Sequence, residues 1–188
     1  MSHVVLVLVE SVNDYLHMLE HQGYELILAP TPASRAEAIA RHGARIDAVL
    51  TRGPLGLHAD EMAALPLLRI ICVIGAGFEQ VDLQAASNLG ITVTFGAGAN
   101  ASSVADHAMA LLLAVVRGIP QADASIRRNE WVKVRQPSLS GKRMGIIGLG
   151  AIGEAIAKRA AHGFDMSIGY HSRQPRQGSP YTYCASVL

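Results

Sequence analysis

Cysteine, aromatic residues and net charge are all scarce in this chain. Only two cysteines, Cys72 and Cys184, occur among its 188 residues. They stand far apart with no ligand partners at zinc spacing, which excludes a disulfide framework and a structural zinc site. Cys72 sits in an apolar strand-like run and reads as a small core residue. Aromatics make up 5% of the chain and charged residues 16%, for a net charge of +1. No basic footprint marks a nucleic-acid partner. The apolar run Val4 to Val9 is too short to span a bilayer, and it has no basic leader or cleavage site. No membrane partner is therefore expected, and the cytoplasm is the default location. What is plentiful is apolar side chain, 50% of the residues. That suffices for one substantial core, or for one domain plus a piece of another.

The most informative stretch runs from Lys142 to Gly153. Met144 to Ile147 reads as a short buried strand, and Gly148, Gly150 and Gly153 then fit G-x-G-x-x-G. An amphipathic helix follows over Glu154 to Ala161. This strand–turn–helix context is what a dinucleotide fingerprint requires. Gly148 permits the tight turn, Gly150 lets backbone approach a pyrophosphate, and Gly153 lets helix and strand lie close. The helix start offers unpaired N–H groups and a partial positive charge to phosphates. The plain alternative is a glycine-rich turn that only packs a βα unit.

The first half of the chain repeats a βα pattern. Val4 to Val9 is a continuous β-branched and leucine run, as in a strand buried on both faces. A helix is expected over Val12 to His21, ending at Gly23. Strands follow at Glu25 to Ala29, Ile46 to Thr51, Arg69 to Ile74 and Ile91 to Phe95. Helices are expected from Thr31-Pro32 to Gly43, over Asp60 to Leu65 and over Asp82 to Asn88. The alternation predicts an open parallel sheet with helices on both faces. Ligands of such sheets bind beyond the C-terminal ends of strands. Two loops lie there, Thr51 to Gly56 and Gly75-Ala76-Gly77-Phe78-Glu79. The second can present consecutive N–H groups to an anion, or can be a plain turn. Arg52 can offer a fork to a carboxylate, or can be solvated or paired.

Gly96 to Asn100 reads as a hinge. A long, almost wholly apolar helix then covers Ser102 to Val116, capped by Ser102 or Ser103 and buried between domains or subunits. His107, near its start, reads as a hydrogen-bonded interdomain histidine. A second, polar helix covers Gln121 to Glu130 and leads to Trp131.

Three stretches in order carry a resemblance. Leu139-Ser140-Gly141-Lys142 through Gly153 is similar to the cofactor motif of the D-isomer-specific 2-hydroxyacid dehydrogenases. Val73 to Asp82 resembles that family's substrate-side loop. Asn100 to Leu113, with Val104-Ala105-Asp106-His107-Ala108, resembles its interdomain helix, and Trp131 also matches. The resemblance spans the whole chain. It implies an α/β protein: a flavodoxin-like parallel-sheet substrate domain over residues 1–98, then the start of a Rossmann dinucleotide-binding domain over residues 99–188. The active site would lie in the cleft between them, with N–H groups of Ala76 and Gly77 holding the substrate carboxylate. The reaction implied is reversible hydride transfer between a nicotinamide and C2 of a small 2-oxo acid. A homodimer formed around the long helix is implied for the full-length form.

Met166 to Tyr170 reads as the second Rossmann strand, ending in His171-Ser172-Arg173. NAD sites carry an acid about twenty residues past the glycines to bind the ribose hydroxyls. No acid stands there; Ser172 lies 19 positions past Gly153 and Arg173 follows. A hydroxyl and a guanidinium suit a 2′-phosphate that a carboxylate would repel, so NADPH is expected over NADH. Arg176 can add to the same patch; the plain alternative is that Arg173 is only a loop cation. His-Ser-Arg also resembles the NADPH-dependent glyoxylate, hydroxypyruvate and hydroxyphenylpyruvate reductases within the family. The expected cofactor contacts are Gly148, Leu149, Gly150, Ala151, Ile152, Gly153, His171, Ser172 and Arg173; no metal is expected.

The family's catalytic Arg, Glu and His lie well downstream of the second Rossmann strand, beyond Leu188. None of the eight histidines matches the catalytic one. No catalytic residue is assigned, and the chain is expected to be a fragment, poorly stable and inactive alone. With two Rossmann strands and one following helix, an apolar edge should be exposed near Ile146 and Ile168. Alternative readings are a non-catalytic nucleotide-binding or interaction protein on the same scaffold, or a formate or 3-phosphoglycerate dehydrogenase.

Overall fold

A computed structural model describes residues 3–187. The chain divides into two compact units, Met1–Ala99 and Asn100–Leu188. In the first unit the order is β1 (Val4–Val7), α1 (His17–Glu20), β2 (Glu25–Leu28), α2 (Pro32–His42), β3 (Ala48–Arg52), α3 (Ala59–Ala63), β4 (Ile70–Ile74), α4 (Leu83–Asn88) and β5 (Thr92–Phe95). The five strands form one sheet, ordered β2-β1-β3-β4-β5. Every pairing is parallel. This is the flavodoxin-like doubly wound order.

The run that begins at Val4 shows why the sheet forms. Val4, Leu6 and Leu8 enter one apolar cluster with Ile46, Val49 and Ile71. Val5, Val7 and Val9 enter a second cluster with Leu16. Side chains alternate across a strand, so a strand covered on both faces needs apolar residues at every position. At α2, Thr31 Oγ1 accepts from Ser34 N–H at 3.1 Å, and Ser34 Oγ accepts from Thr31 N–H at 3.0 Å. Pro32 fills the first helical position, where no N–H is needed.

The continuous helix expected over Val12 to His21 does not form. A 3-10 turn over Asn13–Tyr15 and the single turn of α1 replace it, joined at buried Leu16. Asn13 and Asp14 are weak helix formers, and neither piece has a side-chain cap. Leu16 alone is fully buried; Val12 and Leu19 pack half-buried against the same cluster, and Tyr15 and Met18 face solvent.

The second unit comprises α5 (Ala101–Val116), α6 (Ile119–Arg127), β6 (Arg143–Ile147), α7 (Ala151–Phe164), β7 (Ser167–His171) and β8 (Thr182–Tyr183). Its sheet is ordered β6-β7-β8 and is parallel. Met109, Leu139, Ile146, Ala157, Ala160 and Ile168 are among its core residues. α5 packs on α7 through small residues, Ala105 and Ala157 being fully buried. Arg159 pins the pair, its Nε donating to Asp106 at 2.7 Å and its Nη2 to Ser102 Oγ at 2.9 Å.

One expectation for this unit needs correction and two need narrowing. α5 is capped by neither Ser102 nor Ser103: the cap position is Asn100, without a side-chain bond. Ser103 Oγ instead donates back to the Asn100 carbonyl. Within its own unit α5 leaves Leu111 and Val115 54% and 76% exposed, which leaves open the expected burial between domains or subunits. Finally, the expected apolar edge is present only at β6, since β8 pairs with β7 and α5 and α7 bury Ile146 and Ile168. The exposed apolar residue at the β6 edge is Ile147, at 74%. Among the described residues no single helix is long and apolar enough to cross a membrane.

Candidate functional site

The fingerprint lies where β6 turns into α7. Gly148 has φ +91°, and its N–H donates to the His171 carbonyl at 2.8 Å. Few residues other than glycine hold that φ. A Cβ on Gly153 would run into the Gly148 carbonyl and lie 3.3 Å from Ile146 Cγ2, so the helix can approach the strand only with glycine there. Gly150 differs from both. Its φ is −82°, which any residue adopts. A Cβ built on it would meet nothing within 4 Å. The chain's own packing thus gives no reason for glycine at 150, and the free space lies at the helix start. Leu149 is buried beneath the turn, whereas Ala151 and Ile152 are exposed in the first turn of α7. First-turn N–H groups have no partner within the helix and suit an anion. These residues fit the diphosphate of a dinucleotide.

The end of β7 stands beside this turn. His171 Nδ1 donates to the Cys184 carbonyl at 2.9 Å, and its ring stacks on Tyr183 at 6.4 Å. Ser172 Oγ donates to the Gln174 carbonyl at 2.6 Å, and the Tyr183 hydroxyl donates to the Ser172 carbonyl at 3.3 Å. Arg173 is exposed, and its guanidinium has no hydrogen-bond or ion-pair partner among the described residues. Arg176 is not part of a common patch with it. Its Nη1 donates to the Leu149 carbonyl at 2.8 Å and its Nη2 pairs with Glu154 Oε2 at 2.9 Å. The reach spans 27 residues, so no local pattern announces it.

In the first unit, Arg52 pairs with Ile74 in the β3–β4 register, so the two suspected loops leave the sheet side by side. Gln80 N–H donates to the Gly53 carbonyl and Leu57 N–H to the Gln80 carbonyl, both at 3.2 Å. Gly75 has φ +93° and accepts from Gly96 N–H at 2.7 Å. Ala76 and Gly77 are half-buried. A Cβ on Gly77 or on Gly53 would meet a Glu79 carboxylate oxygen at 2.5 Å, so that carboxylate lies between the two loops. Any anion at these N–H groups shares the loop with its charge.

Arg52 is exposed and unpaired among the described residues. It lines a cavity of about 450 Å³ with Leu8, Val9, Glu10, Pro30 and Leu55, a space that Ala76 and Gly77 do not line. Two supports of its loop were not foreseen. Buried Thr51 donates to the Gly56 carbonyl at 3.0 Å. Arg35, paired with Glu61, donates to the carbonyls of Leu55 and Gly56 at 3.1 and 3.3 Å. His107 is exposed and makes no side-chain hydrogen bond among the described residues, unlike the bonded histidine expected there.

Residues 109–186 match the profile of the D-isomer specific 2-hydroxyacid dehydrogenase NAD binding domain. The second unit belongs to the NAD binding domain family of the D-isomer specific 2-hydroxyacid dehydrogenases. It is 38% identical over 152 residues to a glyoxylate/hydroxypyruvate reductase of Arabidopsis thaliana, covering 79% of this chain and 47% of that one. It is 35% identical over 181 residues to a hydroxyphenylpyruvate reductase of Plectranthus scutellarioides, covering 94% and 57%. A crystal structure of an NADPH-dependent glyoxylate/hydroxypyruvate reductase from Sinorhizobium meliloti, solved with NADP and malonate, superposes with a TM-score of 0.83. Identity to it is 32%, over 98% of this chain and 57% of that one. The chain spans about half the length of the curated relatives it matches.

Proposed function

We propose that this chain carries the cofactor-binding and carboxylate-binding parts of an NADPH-linked, cytoplasmic reductase of small 2-oxo acids. The observation that carries the cofactor choice is the end of β7, where Ser172 and the unpaired Arg173 stand in place of an acid. When bound, the nicotinamide supplies the hydride that converts a 2-oxo acid to a 2-hydroxy acid. The chain's own share is binding and orientation. Gly148, Leu149 and Gly150 form the turn, and Ala151, Ile152 and Gly153 open the helix whose N–H groups hold the diphosphate. His171, fixed by Cys184, ends the strand from which Ser172 and Arg173 reach the 2′-phosphate. Ala76 and Gly77 hold the substrate carboxylate, and unpaired Arg52 adds positive charge at the same end of the sheet. The reductase names of the Arabidopsis and Plectranthus relatives support glyoxylate, hydroxypyruvate and arylpyruvates as the substrates to try.

The test is a fluorescence titration with NADPH and NADH. The unaltered chain should favour NADPH. In S172D/R173A the preference should reverse, a swing of about a hundredfold, because a charge-assisted phosphate contact is exchanged for a carboxylate that binds ribose hydroxyls. Unchanged selectivity overturns the assignment.

A further inference from the structure

Two arginines follow β7, and they face opposite tasks. Both are exposed, but Arg173 is free, whereas the guanidinium of Arg176 is paired within the chain. Its backbone N–H donates to the hydroxyl of buried Tyr170 at 2.8 Å, which turns the loop back over the sheet. Its guanidinium then bridges the Leu149 carbonyl and Glu154.

Both of these partners bear on the diphosphate turn. The Leu149 carbonyl and the Gly150 N–H belong to one planar trans peptide and point in opposite directions. Holding the carbonyl therefore fixes where the N–H points. Glu154 lies in the first turn of α7. A carboxylate there is favourable to the helix but repels an anion bound at its start. The Arg176 guanidinium on Oε2, at 2.9 Å, offsets that charge together with the Lys158 ammonium, 3.4 Å from Oε1.

Resting on the dinucleotide reading above, we propose that Arg176 is a positioning residue for the diphosphate common to NADPH and NADH, and that of the two arginines Arg173 alone selects the 2′-phosphate. Arg176 supports the turn from behind and makes no distinction between the two cofactors.

Titrating NADPH and NADH against the full chain and its R173A, R176Q, E154Q and R176Q/E154Q variants separates the roles, with circular dichroism as the check on folding. R176Q should weaken both dinucleotides by the same factor, about tenfold, as expected for loss of a charged hydrogen-bond pair. R173A should weaken NADPH alone. The double variant should recover part of the R176Q loss for both, since the carboxylate that Lys158 alone would offset is gone. E154Q should move both affinities by one common factor. The proposal is overturned if R176Q affects NADPH alone or neither dinucleotide, or if E154Q strengthens NADPH selectively. Should R176Q fail to fold, the NADPH-to-NADH ratio in E154Q decides. An unaltered chain that binds neither dinucleotide removes the underlying reading itself, whereas a selective R176Q defect removes only the role given to Arg176.

Discussion

Glycine at 150 and glycine at 153 look alike in the motif but answer to different physics. Gly153 is required by the chain, because any Cβ there meets the Gly148 carbonyl. Gly150 is required by nothing within 4 Å. G153A should therefore lose about 1–3 kcal/mol of stability by overpacking, measured by denaturant unfolding, and lose dinucleotide binding with it. G150V should unfold within about 1 kcal/mol of the unaltered chain, the cost of a poorer cap residue. Its dinucleotide affinity should nevertheless fall at least about tenfold, because the new side chain fills the space at the helix start. A G150V chain that binds normally would show that this space is not the diphosphate site. The turn glycines are legible because each acts through its own backbone. Arg176 is not, since its partners lie 22 and 27 residues away and nothing local distinguishes it from Arg173.

At the scale of elements, caps and periodicity decide what can be read. The Thr31-Pro32 start of α2 is local chemistry, and its reciprocal bonds with Ser34 form as such a sequence allows. T31A removes one side of that box and should cost about 1 kcal/mol, seen as a lower thermal midpoint with binding unaffected. The segment from Val12 to His21 shows the opposite. Its apolar residues Val12, Leu16 and Leu19 keep a helical spacing and meet the core, but the backbone between them breaks into a 3-10 turn and one α turn with no side-chain cap on either, and so short a helix is marginal. β8 has two residues and carries no period at all. It exists because β7 offers an edge and Tyr183 meets Tyr170 edge to face at 5.5 Å.

For the whole molecule, the second unit exposes a run of large apolar side chains. Leu111, Val115, Ile119 and Ile126 on α5 and α6, with Trp131 and Val132 beyond them, all face solvent, Trp131 at 87%. Such surface marks an interaction face. Together with the dimer implied by the family, it supports pairing through this unit. L111E/V115E should shift the mass measured by light scattering from dimer to monomer; a chain that is already monomeric at high concentration would refute the pairing.

The amino-acid sequence by itself determined the alternating βα pattern, the strand buried on both faces, the glycine turn and the missing acid after β7. Each of these is a matter of local backbone preference or of apolar periodicity, and each is written within a few consecutive residues. Tertiary structure alone decided that α1 is a single turn, that β8 covers the edge of β7, that Glu79 lies between the loops at Gly53 and Gly77, and that Arg176 pairs with Leu149 and Glu154 while Arg173 stays free. These outcomes depend on partners distant in the chain, whose approach follows from how sheets and helices pack and leaves no trace in local spacing.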